Sequence, residues 1–193
     1  VKARRFMLVL LAVVLAGCPG LGRAQTNSAN ADNHKAYVLG TNGTLYLTLP
    51  AGWKDSLKRA QGADGVHDAI IFTPADTNEF NFMLVVFTVA KNHAGAAELK
   101  NSLLQSGLRE STNYAETSLT LRELAGGQTL GAYYRVTDRR LTAAKAAPGD
   151  FKYMTRGYAV LGPLVLTFEL VSNDADRDEP AALEALRQAR FAQ

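Results

Sequence analysis

Few residues of this chain combine a reactive type with a suggestive spacing. The single cysteine, Cys18, follows Leu15-Ala16-Gly17 directly, so any thiol chemistry belongs to that one position. Asp174, Asp176 and Asp178 have the spacing that opens a calcium-binding loop. Such a loop needs glycine at its sixth position and glutamate at its twelfth, and those positions here are Glu179 and Ala185. The acids read instead as a cap at the positive end of a following helix. His34, His67 and His93 stand far apart in the chain, so no metal site is expected from them. Gly126-Gly127 and Gly131 fall between strands rather than before a helix, which suits turns and not a phosphate cradle. No Gly-x-Ser-x-Gly and no Ser-x-x-Lys is present. The sequence therefore nominates no catalytic residue, no metal ligand and no cofactor.

Cys18 has a definite context. Lys2, Arg4 and Arg5 precede an uncharged apolar run from Phe6 to Ala16, which ends in small residues. A basic start, a short apolar stretch and a small-residue end make a secretory signal, and the run is well short of the ~20 residues of a membrane span. Leu15-Ala16-Gly17-Cys18 resembles the bacterial lipobox, in which Leu15, Ala16 and Gly17 are read by the signal peptidase. That resemblance implies a diacylglycerol thioether on Cys18, with cleavage just before it. Gly22-Arg23-Ala24 offers the competing cleavage site, which would free a chain starting at Gln25. Under the lipobox reading residues 1–17 are discarded, residues 18–33 form a flexible polar tether and residues 34–193 form one folded domain. Two acyl chains anchor stably where one does not, so the expected partner is a membrane, reached through Cys18. The expected location is the bacterial envelope, facing the periplasm, with the leaflet unassigned.

Charge narrows the partners further. Three of the 21 basic residues lie in the signal and none of the 18 acidic ones does, leaving 18 of each. A domain with no net charge lacks the basic field that nucleic acid requires, so no nucleic-acid partner is expected. The domain has no cysteine, hence no disulfide, and must stand on its core.

The elements that would position functional groups are mostly strands. Asn42-Gly43 between Tyr37–Leu39 and Leu45–Leu49 marks a hairpin. Further strands are expected at Trp53–Arg59, Ala69–Thr73, Phe80–Val89, Glu116–Leu124 and Thr129–Asp138. Phe80–Val89 is long, largely apolar and rich in β-branched residues, and reads as central. Lys152–Leu161 and Leu164–Ser172 form a hairpin around Gly162-Pro163. Two or four loop residues there set Arg156 opposite Glu169, and a three-residue loop would move Glu169 to the other face. Opposite charges at paired positions suit a structural ion pair better than a ligand contact. Ala96, Leu99, Leu103, Leu104 and Leu108 share one side of a helix over Ala94–Arg109. A last helix is expected from Pro180 to Phe191, with Pro180 in its first turn. Tight turns between most strands predict an α+β fold: a mainly antiparallel twisted sheet of about six or seven strands covered by two helices.

Leu47-Thr48-Leu49-Pro50-Ala51-Gly52-Trp53 near the start, with Tyr153-Met154-Thr155-Arg156-Gly157-Tyr158 and Leu164-Val165-Leu166-Thr167-Phe168 near the end, resembles the PsbP-like group. That group includes the photosystem extrinsic protein and bacterial envelope lipoproteins of the DcrB kind. The resemblance spans about Tyr37 to Phe191 and implies a PsbP-like sandwich that serves as an accessory or binding module. It brings no catalytic residues and no photosynthetic role.

Tyr133, Tyr134, Tyr153 and Tyr158 sit in strands expected to be neighbours, where they would line a ligand or partner surface or fill a half-buried sheet. Arg139, Arg140 and Lys145 form a solvated basic loop. The first functional expectation is a membrane-anchored, non-catalytic module with an unknown envelope protein partner. The second is a carrier or sensor with a small or lipidic ligand between sheet and helix. The third is an enzyme with catalytic groups converging from distant positions.

Overall fold

The computed structural model describes residues 33–39, 43–62, 65–74, 79–88, 95–142 and 146–193. Cys18, the expected signal, nearly all of the expected tether, Asn42, His93 and Lys145 lie outside these residues.

Ten strands and two α-helices are described: β1 His34–Val38, β2 Thr44–Thr48, β3 Trp53–Gly62, β4 Gly65–Pro74, β5 Phe80–Thr88, α1 Ala96–Arg109, β6 Arg122–Gly126, β7 Thr129–Thr137, β8 Tyr153–Leu161, β9 Leu164–Ser172, α2 Ala175–Arg187 and β10 Arg190–Ala192. Seven strands form one sheet in the order β3-β4-β5-β9-β8-β7-β6, and every neighbouring pair is antiparallel. Hairpins account for all pairings but one. β5 joins β9 across the insertion of α1 and three strands, with Phe80 opposite Ser172 and Thr88 opposite Leu164. A smaller sheet, β1-β2-β10, completes an α+β sandwich.

Alternation along the strands assigns the two faces of the large sheet. Ile70, Phe72, Phe82, Leu84, Leu166 and Phe168 point to one face and form the main core with the small sheet and the apolar side of α2. Phe72 stacks on Phe82 with ring centroids 5.1 Å apart, and Trp53 packs on Phe80 at 4.9 Å. The opposite face carries a second cluster, in which α1 covers β7 and β8 through Leu103 against Tyr134, Met154 and Tyr158. α1 can lie this close because Gly107 faces the sheet. A Cβ there would stand 2.5 Å from a Leu119 methyl carbon and 2.9 Å from the Tyr134 ring. Its contact line runs through Leu99, Leu103 and Gly107, so Leu108, expected on the buried side, is exposed.

Three expectations need correction. The last helix starts at Ala175, and Pro180 lies inside it. Asp178 and Glu179 are buried in its first turns, where Ser172 Oγ donates to Asp178 (2.7 Å) and Thr155 Oγ1 donates to Glu179. These bonds to β8 and β9 draw the helix start toward the sheet. Its end also differs, because Arg190–Ala192 pairs with β2 as β10 instead of extending the helix. The strand expected over Glu116–Leu124 is confined to Arg122–Gly126. Glu116 instead accepts from both Thr137 N and Thr137 Oγ1 at 2.8 Å, which holds that stretch against the end of β7.

Candidate binding cleft and the buried charge cluster

Arg156 lies in the middle of β8, on the face that α1 covers. Glu169 of β9 is its cross-strand partner, Tyr158 faces Thr167 and Val160 faces Val165. The guanidinium donates to Glu169 Oε2 from Nη2 (2.6 Å) and Nε (3.0 Å), and from Nη1 to Glu110 Oε1 (3.1 Å). Glu110 is the C-cap of α1, and its other oxygen accepts from Tyr114 Oη at 3.0 Å. One cation thus joins two strands and the end of a helix. Burial works against its charge, but the Glu169 and Glu110 carboxylates outweigh that, and Arg156 titrates above the ordinary arginine range. Burial first, then the neighbouring Tyr134 phenol and the Glu110 carboxylate, also raise the Tyr114 phenol. Glu110 and Tyr114 belong to no sequence motif. Their roles follow only from where α1 ends.

The four candidate tyrosines do not share a surface. Tyr133 points into the main core, whereas Tyr134 and Tyr158 lie under α1. Tyr153 is half-buried beside the Lys152 ammonium, 5.4 Å from its ring centroid. Successive residues of a strand face opposite ways, so Tyr133 and Tyr134 cannot line one groove. Gly157, opposite Tyr133, leaves room for that ring: a Cβ at Gly157 would meet Tyr133 Cβ at 2.7 Å.

The three aspartates also diverge. Asp174 caps α2 by accepting from Arg177 N at 3.2 Å. Asp176 points to solvent near Arg135 (3.7 Å), and Asp178 is held by Ser172 and Arg177. His34 shares a 2.9 Å hydrogen bond with Thr48, and His67 packs against Phe87 with ring centroids 4.3 Å apart. Among the described residues no three metal-binding side chains are grouped. Arg139 donates to Tyr114 O (2.7 Å) and Arg140 pairs with Asp138 (2.6 Å), so the basic loop is tied to the fold.

The described residues line clefts in two places of interest. One, of about 390 Å³, lies where Gly52 and Trp53 meet Arg177 and Asp178. The other, of about 300 Å³, lies between the start of α1 and the tips of the β6–β7 and β8–β9 hairpins. Its walls are Ala96 and Leu99 on the helix and Leu130, Val160 and Val165 on the sheet, with Tyr158 between them. Tyr158 Oη donates to Ala96 O at 3.3 Å, so its polar atom is engaged and its ring is what lines the space. Lys100 and Glu123 stand at the mouth, 3.9 Å apart. No sequence pattern announced this cleft, because its lining comes from five separate elements.

The architecture has a solved counterpart. The solution structure of cyanobacterial PsbP (CyanoP) from Synechocystis sp. PCC 6803 superposes with a TM-score of 0.54 over 92% of this chain and 99% of that one, at 11% identity. The fold is PsbP-like. At that identity the likeness concerns the fold alone. No family model matches the chain, and a search of curated protein sequences returns no match.

Proposed function

We propose that this chain is a non-catalytic accessory module of the bacterial cell envelope, tethered through acylated Cys18 and engaging an envelope protein on its periplasmic side. Residues 1–17 are the signal, residues 18–33 the tether and residues 34–193 the folded unit. The observation that supports a docking role is the outward face of the small sheet. Val38 is 66% exposed and Tyr46 39% exposed, on the sheet whose first strand begins at His34, the residue that follows the proposed tether. An exposed aromatic and a β-branched side chain beside the attachment point form the kind of surface that protein partners use. The buried charges are engaged within the fold, as the Arg156 and Asp178 contacts illustrate, which suits a scaffold better than a reaction centre.

The test is a photocrosslinker in place of Tyr46 in the native host, followed by mass spectrometry of the adduct. A discrete envelope protein lost on Val38→Asp is the expected result. A protein that forms no adduct and carries no fatty-acyl mass on Cys18 would overturn the reading.

A further inference from the structure

The cleft beside α1 has a one-sided chemistry. Its walls are aliphatic apart from the Tyr158 ring, and among its lining residues the only charged side chains are Lys100 and Glu123. These two differ in how they stand. The Lys100 side chain is 44% exposed, its stem lying along the wall, while Glu123 is 85% exposed and projects into water. Their separation of 3.9 Å exceeds a hydrogen bond. An exposed pair of that kind contributes little, so the ammonium can exchange Glu123 for another anion at small cost.

The apolar floor continues past the cleft. Ala125, Leu130, Val160, Val165 and Phe87 occupy one register row across β6, β7, β8, β9 and β5. Leu130 in that row is 68% exposed, a large aliphatic side chain left in water at the rim. Five strands at ~4.8 Å spacing give a row about 19 Å long. The cleft itself holds about ten groups of water size at ~30 Å³ each, the bulk of a medium-length alkyl chain.

We infer that this cleft binds a single-chain amphiphile with an anionic head, its alkyl chain laid along the Leu130–Val160–Val165 row and its head at the Lys100 ammonium. The inference goes beyond the docking role proposed for the small sheet and does not depend on it, since a chain never acylated keeps the same cleft.

The test uses the full chain carrying Cys18→Ser, so that no acyl group of its own competes. Dodecanoate, dodecyltrimethylammonium and a lauroyl lysophosphatidylglycerol are titrated below their micellar concentrations and followed by calorimetry. Dodecanoate is expected to bind at least about tenfold more tightly than the cationic surfactant. Leu130→Glu, at an exposed position, and Val160→Phe, which fills the cleft, should each weaken binding by about tenfold or more, with circular dichroism confirming that both fold. Lys100→Glu should abolish the preference for the anion. Tighter binding of dodecanoate assigns a free fatty acid, and tighter binding of the lysolipid assigns a lipid headgroup. Absence of dodecanoate binding, equal affinity for the cationic surfactant, or affinity unchanged in both Leu130→Glu and Val160→Phe would overturn the inference.

Discussion

Arg156 and Glu169 face each other across the β8–β9 hairpin, with Nη2 and Oε2 2.6 Å apart beneath α1. Both side chains are buried, and the second carboxylate on the arginine belongs to Glu110 at the end of that helix. The pair therefore connects the centre of the sheet to the helix that walls the cleft.

Removing the cation should cost more than its contacts contribute. Arg156→Met leaves the Glu169 and Glu110 carboxylates without their shared partner, and breaking a buried pair in this way costs about 3–5 kcal/mol. Arg156→Met with Glu169→Leu should recover much of that loss, because two apolar residues replace two buried charges. Urea denaturation of the single and double variants measures the difference.

Gly107 should tolerate no branched residue. Gly107→Val drives a branched side chain into Leu119 and the Tyr134 ring and should destabilise by about 1–3 kcal/mol. Gly107→Ala gains up to ~1 kcal/mol of helix propensity and loses it to the same contact. Thermal melting of both variants should rank valine well below alanine.

Pro180 sits in the interior of α2 and donates no hydrogen bond there. Pro180→Ala restores a donor to the helix, at the expense of a more flexible unfolded chain. A net gain of about 1–2 kcal/mol is expected, well within the ~3 kcal/mol that separates the two residues in a helix interior. Its measure is a higher denaturation midpoint with an unchanged slope.

Alkaline pH should unfold the chain through Tyr114 and Tyr134. Burial raises both phenols above their ordinary value of 10.0. Above that pH the unfolded chain loses protons that the folded chain retains, so stability is full below about pH 10 and falls as pH climbs toward the folded values. Tyr114→Phe should flatten the decline in a series of denaturation curves across that range.

Local sequence determined what local contacts encode. The short Gly162-Pro163 turn brings Arg156 and Glu169 together, because a hairpin register depends only on its turn and the side-chain period of two. The same period puts Tyr133 and Tyr134 on opposite faces. The spacing of Leu99 and Leu103 made α1 amphipathic, whatever it packs on. Tertiary structure alone decided which distant elements meet. β5 pairs with β9 across the whole α1–β8 insertion, Glu110 reaches Arg156 from the end of a helix, and Asp178 and Glu179 draw α2 back past Pro180. The cleft likewise exists only where α1 and two hairpin tips converge. Periodicity tells each residue which face it occupies but carries no information about the partner on that face. The partner is chosen by the free energy of closing long loops around a shared core.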